Sequence, residues 1–381
     1  MLVFVSAGTP IPLYNTYRAQ DGLTTADLTV ATALYLAAAA LSLLVLGRLS
    51  DHLGRRPLGV AALLTSAAGL GVLQVVDGLA PLAAGRLLQG LATGLASSAL
   101  GALVVDTAPE RPRWLAAVVT SAAPMLGIPL GALACGALVD HGPAPRHLLY
   151  AVVAVALVAV AAGVAAGPET VERAGRRAVR LRGAAASLRP RVHVPPGARR
   201  PLVAVAAVVV ATWSLGGFYQ AFGPTIARDE LGSDAALTAA AVFASFTVLS
   251  ALGGPLTARL RADRAVRVGA ALYAAGVVGI LAALAAGAVV PFLVVSLLTG
   301  VAQGAAQTGG MRTLLARTAP ADRAGLLSTV FLLNYSSAAV PSLVAGRLTD
   351  VATVVQIASG YGVLVLAGVA VALVAARPAR R

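Results

Sequence analysis

The chain has 381 residues, 58% of them hydrophobic and 12% charged, with a mean hydropathy of +0.85. So few charges cannot supply the polar exterior that a soluble fold of this size requires, and so much apolar content excludes a disordered chain. The net charge is +14 and all 29 basic residues are arginine, so the chain can hold neither a G-x-x-x-x-G-K-[ST] phosphate loop nor a lysine nucleophile or Schiff base.

Crossing a ~30 Å hydrocarbon core takes about 20 apolar residues in a helix. Runs of this kind are predicted at 1–17, 28–46, 57–77, 81–105, 114–138, 147–167, 201–226, 235–257, 266–288, 291–315, 325–345 and 354–376, which makes twelve. They are too long, and too rich in Ala and Leu, for barrel strands. The N-terminus lacks the basic region of a cleavable signal peptide. Cys135 lies inside an apolar run and reads as a buried structural thiol. His52, His141, His147 and His193 lie in polar connections without an H-x-x-x-H or C-x-x-C partner, so neither a metal site nor a cofactor is expected.

Arginine placement sets the orientation. The even-numbered connections and the C-terminal tail hold 24 arginines, the odd-numbered ones hold 4 (Arg18, Arg146, Arg228 and Arg347), and Arg86 lies inside the fourth run. This split predicts a multi-pass protein of the inner (plasma) membrane with the even loops and both termini in the cytoplasm. Residues 169–200 carry nine arginines with Pro190, Pro195 and Pro196. They read as a cytoplasmic linker in contact with anionic lipid; no aromatic platform accompanies them, so no nucleic-acid partner is expected. The expected organisation is an N-terminal six-helix half (1–168), the Arg-rich linker (169–200) and a C-terminal six-helix half (201–381).

The two halves repeat at an offset of about 210 residues. Leu87-Leu88-x-Gly90-x-x-x-Gly94 matches Leu297-Leu298-x-Gly300-x-x-x-Gly304, and Thr107-Ala108-Pro109 matches Thr318-Ala319-Pro320. Gly136-x-Leu138-x-Asp140 matches Gly346-x-Leu348-x-Asp350, Gly47-Arg48-Leu49 meets Ala258-Arg259-Leu260, and Asp21-Gly22 meets Leu231-Gly232. A shared offset across an even number of helices predicts parallel six-helix repeats, as in transporter folds.

The loop after the second run reads Gly47-Arg-Leu-Ser-Asp51-His-Leu-Gly54-Arg55-Arg56-Pro57. It resembles the G-x-L-x-D-[RK]-x-G-[RK]-[RK] signature of the major facilitator superfamily, with His52 where that family usually has Arg or Lys. The resemblance implies a gating latch made by Gly47, Asp51, Gly54, Arg55 and Arg56. Arg86-Leu-Leu-Gln89-Gly90 is similar to the family's R-x-x-Q-G motif, which implies a part in proton coupling; a snorkelling arginine near the outer interface is the structural alternative. Gly127-Ile-Pro129-Leu-Gly131-Ala132 resembles the family's antiporter motif, with the proline displaced by one and alanine for the last glycine. Its small residues are expected to let the fifth and eighth helices approach closely. Pro168-Glu169-Thr170 resembles a terminator common in the family. Together these motifs resemble the drug-efflux-like (arabinose-efflux-permease-like), bacterial branch.

A transporter of this kind is expected to bind solute near the midplane. Polar and aromatic residues well inside the runs are the candidates: Asn15, Tyr35, Trp213, Tyr219, Gln220, Gln303, Gln307, Asn334 and Tyr335. Asp21, Asp27, Asp77, Asp140 and Asp350 lie near one end of the runs and Asp106 near the other, so no carboxylate sits mid-span.

The sequence therefore predicts an all-α membrane protein of twelve transmembrane helices. Its expected activity is secondary active transport of a small neutral or amphipathic solute by alternating access, as proton-linked efflux, by a monomer among membrane lipids. An importer of a sugar or other small metabolite is the alternative. A membrane-embedded enzyme is more distant, since no convergent catalytic constellation is visible, and a receptor would not need two matching halves. The repeat offset places the counterpart of residue 201 about ten residues before Met1, so either the first helix is short or the start codon lies upstream. Apolar codons in frame before Met1 are the outcome expected of an upstream start, and an in-frame stop there would exclude it.

Overall fold

A computed structural model describes the chain except residues 110, 112–114, 145, 172–176, 191–193, 195–197, 320–321 and 376–381. Helix makes up 83% of it and no strand occurs among the described residues, which decides against a barrel. Eleven described helices are long and apolar enough to cross a membrane. The remaining run, at the N-terminus, is helical but broken. We label this segment α1: it comprises Leu2–Gly8, a single tight turn at Ile11–Leu13, and Tyr14–Gln20. Pro10 and Pro12 stand at the break, where neither has an N–H to donate.

The others follow in order: α2 Thr25–Leu46, α3 Arg55–Leu73, α4 Leu79–Thr107, α5 Leu115–His141, α6 Leu148–Ala166, α7 Arg199–Thr225, α8 Ala236–Leu256, α9 Ala262–Ala285, α10 Val289–Leu315, α11 Arg323–Leu348 and α12 Val354–Ala375. A further helix, Arg177–Ser187, lies within the Arg-rich segment. Parts of that segment (172–176, 191–193 and 195–197) lie outside the described residues, as do Arg113 and the arginines of the C-terminal tail. Ala and Leu hold these helices with little loss of side-chain freedom. Their outer faces expose valine and leucine, as at Val155, Leu272 and Val363. Water would penalise such faces and lipid does not.

The chain divides into two compact units: residues 1–23 with 34–191, and residues 24–33 with 192–381. Within each unit the Gly-x-x-x-Gly pair of the sequence repeat makes an equivalent contact. In the first, a Cβ at Gly90 would lie 2.7 Å from Ala38 Cβ, and one at Gly94 would lie 2.6 Å from Ser42 Oγ, both on α2. In the second, a Cβ at Gly300 would meet the Phe246 carbonyl carbon at 3.2 Å, and one at Gly304 the Ser250 carbonyl carbon at 2.9 Å, both on α8. The fourth and tenth helices thus touch the second and eighth backbone to backbone, a contact that only glycine permits. The repeat extends to a turn: Gly22 and Gly232 both adopt left-handed conformations, with φ of 66° and 65°.

Gly90→Ala and Gly304→Ala are each expected to cost about 1–3 kcal/mol by overpacking. Gly71→Ala and Gly360→Ala, where a Cβ would meet nothing within 4 Å, should leave stability unchanged or slightly raised. Thermal unfolding of the four purified variants measures this, and equal midpoints across the set would remove the packing explanation.

Candidate functional site

Three groups of predicted residues have a defined geometry, two in the first unit and one in the second. The first lies where α3 begins. Gly54 precedes that helix with φ 106°, a conformation that side-chain-bearing residues rarely adopt. It offers no side chain to the helix N-terminus, and Glu169 does so instead. Its carboxylate accepts from the backbone N–H of Arg55 at 2.9 Å and of Arg56 at 3.3 Å, and from those of Thr170 and Val171 at 3.0 and 3.2 Å. An anion at this position also answers the helix dipole. Arg56 Nη1 donates to the Gly167 carbonyl at 3.0 Å. Arg55 Nε lies 2.8 Å from Asp106 Oδ2, which also accepts from Thr170 Oγ1 at 2.7 Å.

Asp51, expected to be the acidic centre of this latch, is the looser member. It lies 3.8 Å from Arg55 with 57% of its side chain exposed, so Asp106 is the arginine's closer partner. Gly47 follows a wide helical turn at Ser42–Leu46, and a Cβ there would run into the Leu43 carbonyl. His52, the residue that departs from the family signature, faces Gly183 of the short helix. Arg48 Nη2 donates to the carbonyls of Ser187 and Arg189 at 2.9 and 2.8 Å, at the end of that helix.

The second group surrounds Arg86, which is fully buried. It does not snorkel to an interface. Its Nη1 donates to the Ala7 carbonyl at 2.8 Å and to Gln89 Oε1 at 2.9 Å, and the guanidinium lies 4.3 Å from the centre of the Tyr35 ring. Gln89 Nε2 donates to the Ser6 carbonyl at 2.6 Å. Both carbonyls lie in the last turn before the break in α1, and that of Ser6 also accepts from Thr9 Oγ1 at 2.8 Å. Tyr35 is in turn 3.5 Å from Thr93 Oγ1.

The helix-5 motif packs on the same broken segment. A Cβ at Gly127 would lie 2.6 Å from Phe4 Cβ, one at Gly131 would collide with the Val5 carbonyl, and one at Gly8 with the Ile128 carbonyl. Pro129 is buried within α5. Within this unit their nearest neighbours are on α1, because Gly8, Gly127 and Gly131 carry no side chain to hold the two backbones apart.

The third group lines a cavity of about 50 Å³ between α7, α10 and α11, walled by Val205, Val208, Val209, Met311 and Val330. Trp213, Gln307 and Asn334 also line it. Trp213 meets Tyr335 edge-on, with centroids 5.2 Å apart. Gln307 Nε2 donates to Thr212 Oγ1 at 2.8 Å. Asn334 is buried, and its Oδ1 has no hydrogen-bond donor among the described residues.

The remaining candidates do not join this cavity lining. Tyr219 is fully buried, stacked on Phe246 and Phe292, with its hydroxyl 2.6 Å from Ser296 Oγ. Gln220 is buried one residue along, and Gln303 and Asn15 are partly buried elsewhere. Sequence reading also missed Glu169 as the cap of α3 and Asp106 as the partner of Arg55. The Pro-Glu-Thr triplet marked a helix end; its contact with a residue 114 positions earlier has no local signal.

The sequence model of the Major Facilitator Superfamily matches residues 1–343. Three solved structures illustrate the likeness in fold. A peptide transporter in complex with alafosfalin is 16% identical, with a TM-score of 0.71 over 98% of this chain and 90% of that one. The xylose transporter XylE from E. coli, in a partially occluded inward-open conformation, is 15% identical with a TM-score of 0.68 over 97% and 93%. The human organic anion transporter MFSD10 (TETRAN) is 18% identical with a TM-score of 0.60 over 97% and 96%.

Glu169→Ala is expected to lower stability by about 1–2 kcal/mol through loss of the cap on α3, and Glu169→Gln, which keeps an acceptor, by less. Thermal unfolding of the purified variants checks the order; an alanine variant as stable as the wild type would show that the contact contributes nothing.

Proposed function

The chain belongs to the Major Facilitator Superfamily, a multi-pass transport protein and not an enzyme, and on that premise we propose that it exports a small neutral or amphipathic solute in exchange for protons. The observation that carries the solute class is the α7–α10–α11 cavity. Its walls are valine, methionine and Trp213, and its polar groups are two uncharged amides. One of these, Gln307, is already engaged by Thr212, which leaves Asn334 Oδ1 to accept from a solute. A sugar, which carries several hydroxyls around an apolar ring, would find too few partners here. A flat or branched apolar group beside a single donor matches the lining.

Export and proton exchange rest on the motifs. The glycines and proline of α5 (Gly127, Pro129 and Gly131) match the antiporter pattern in part, and Arg86, Gln89 and Gly90 match the coupling pattern. The group at residues 47–56 is the proposed gate, with Asp106 and Glu169 added to its expected members. We place this gate, the Arg-rich segment and both chain ends in the cytoplasm of an inner (plasma) membrane, following the arginine split. The working unit is the monomer, made of two six-helix repeats joined by residues 169–200. Alternating access supplies the cycle, with opposed proton and solute movements drawing on a gradient.

The test uses purified protein in liposomes under an imposed pH gradient, with a panel of amphipathic amines, amides and sugars. Outward solute movement coupled to an inward proton flux is the expected result; sugar-driven flux alone would favour the importer, and no flux across the panel would overturn the proposal. In the same assay Asn334→Leu is expected to raise the KM for an active solute about tenfold, the value of one hydrogen bond, at near-normal abundance. Asp51→Asn should lower the turnover rate more than it lowers abundance, and unchanged turnover would remove Asp51 from the gate.

A further inference from the structure

Arg86 carries a charge that its described surroundings do not neutralise. An arginine stays protonated wherever it is placed, and this one is fully enclosed. Nη1 is used by Ala7 and Gln89, and the Tyr35 ring faces the guanidinium. Nε and Nη2 have no hydrogen-bond acceptor among the described residues. These surroundings answer the charge with two carbonyl-type dipoles and a ring quadrupole, and with no carboxylate. The sequence has none to offer at this depth, since its aspartates cluster toward the ends of the spans. A buried charged group with unmet donors is among the most costly features a fold can hold.

The two idle donors are also the pair best suited to an anion. Nε and Nη2 form one edge of the guanidinium, with parallel N–H bonds that clasp a carboxylate two-pronged or share a halide. We propose that this edge, beside the Tyr35 ring, is an anion-binding site for a compact monovalent anion: a halide ion or a carboxylate group. Monovalency follows from the charge balance. Arg86 is the single cation in this group of contacts, so a dianion would replace one buried net charge with another. The proposal asks nothing about which solute is transported or in which direction.

The experiment uses the full-length purified protein at constant ionic strength, with gluconate as the inert anion, into which chloride or acetate is titrated separately. Unfolding is followed with a thiol-reactive dye, since Cys135 is the single cysteine and is buried. The wild-type midpoint is expected to rise by about 5 °C at saturation, the size of shift that a ligand bound only by the folded state produces. A larger response to chloride identifies the halide, and a larger response to acetate identifies the carboxylate. Arg86→Leu should respond to neither, and Arg86→Lys, which keeps the charge but loses the two-pronged edge, should need at least tenfold more anion for half the shift. The proposal is overturned if neither anion moves the wild-type midpoint, or if Arg86→Leu responds as the wild type does. Should Arg86→Leu not fold, Arg86→Lys decides, and an unchanged anion dependence there overturns the site equally.

Discussion

A buried peptide group has no solvent to bond with, and the N-terminal segment α1 breaks its helical ladder in its own sequence. Pro10 and Pro12 remove two N–H donors at a tight helical turn, and Pro10 denies the Ser6 carbonyl its helical donor four residues on. Gln89 donates to that carbonyl alongside Thr9, and Arg86, one turn away on α4, donates to the neighbouring Ala7 carbonyl. Much of the first unit follows from this repair. These contacts hold α4 against α1 with the guanidinium under Tyr35, and the glycines of α5 approach the backbone of Phe4 and Val5 on the same segment. The arginine serves as a structural donor through Nη1, while its Nε and Nη2 have no acceptor among the described residues.

A second long-range repair occurs at the start of α3. Gly54 is required by the left-handed turn, and a glycine cannot cap the helix it introduces. Glu169 caps it from beyond the end of α6, and Arg56 returns the contact through the Gly167 carbonyl. The signature loop is therefore tied to the end of the sixth helix, and its arginine Arg55 to Asp106 at the end of α4. These contacts join the ends of three helices. His52 and Arg48 extend the tie to the short helix of the Arg-rich segment.

The second unit separates two uses of aromatic residues that adjoin in sequence. Trp213 borders a cavity, while Tyr219 is sealed in a stack with Phe246 and Phe292 and closes its hydroxyl on Ser296. Both are large, semi-polar residues well inside α7, and the difference comes from where the helix surface turns. Six residues are about one and two-thirds turns, enough to send one side chain toward α11 and the other toward α8 and α10.

The length and order of eleven helices were legible in the sequence, because a bilayer accepts so few backbone structures that apolar length decides them, while the twelfth expected run, at the N-terminus, is broken. The predicted runs lie within a few residues of the observed helices, and the repeat reappears as the matching glycine contacts of Gly90 and Gly300. The family was legible for a similar reason: Gly54 and its neighbours meet a local backbone demand that leaves a local pattern. What the sequence could not determine was which polar side chain meets which. Arg86 on Ala7, Glu169 on Arg55 and Asp106 on Arg55 join residues 79, 114 and 51 positions apart. Nothing in their spacing selects these pairs over others. Only tertiary packing brings them within hydrogen-bond reach, and for the fully buried Arg86 burial then makes the contact obligatory.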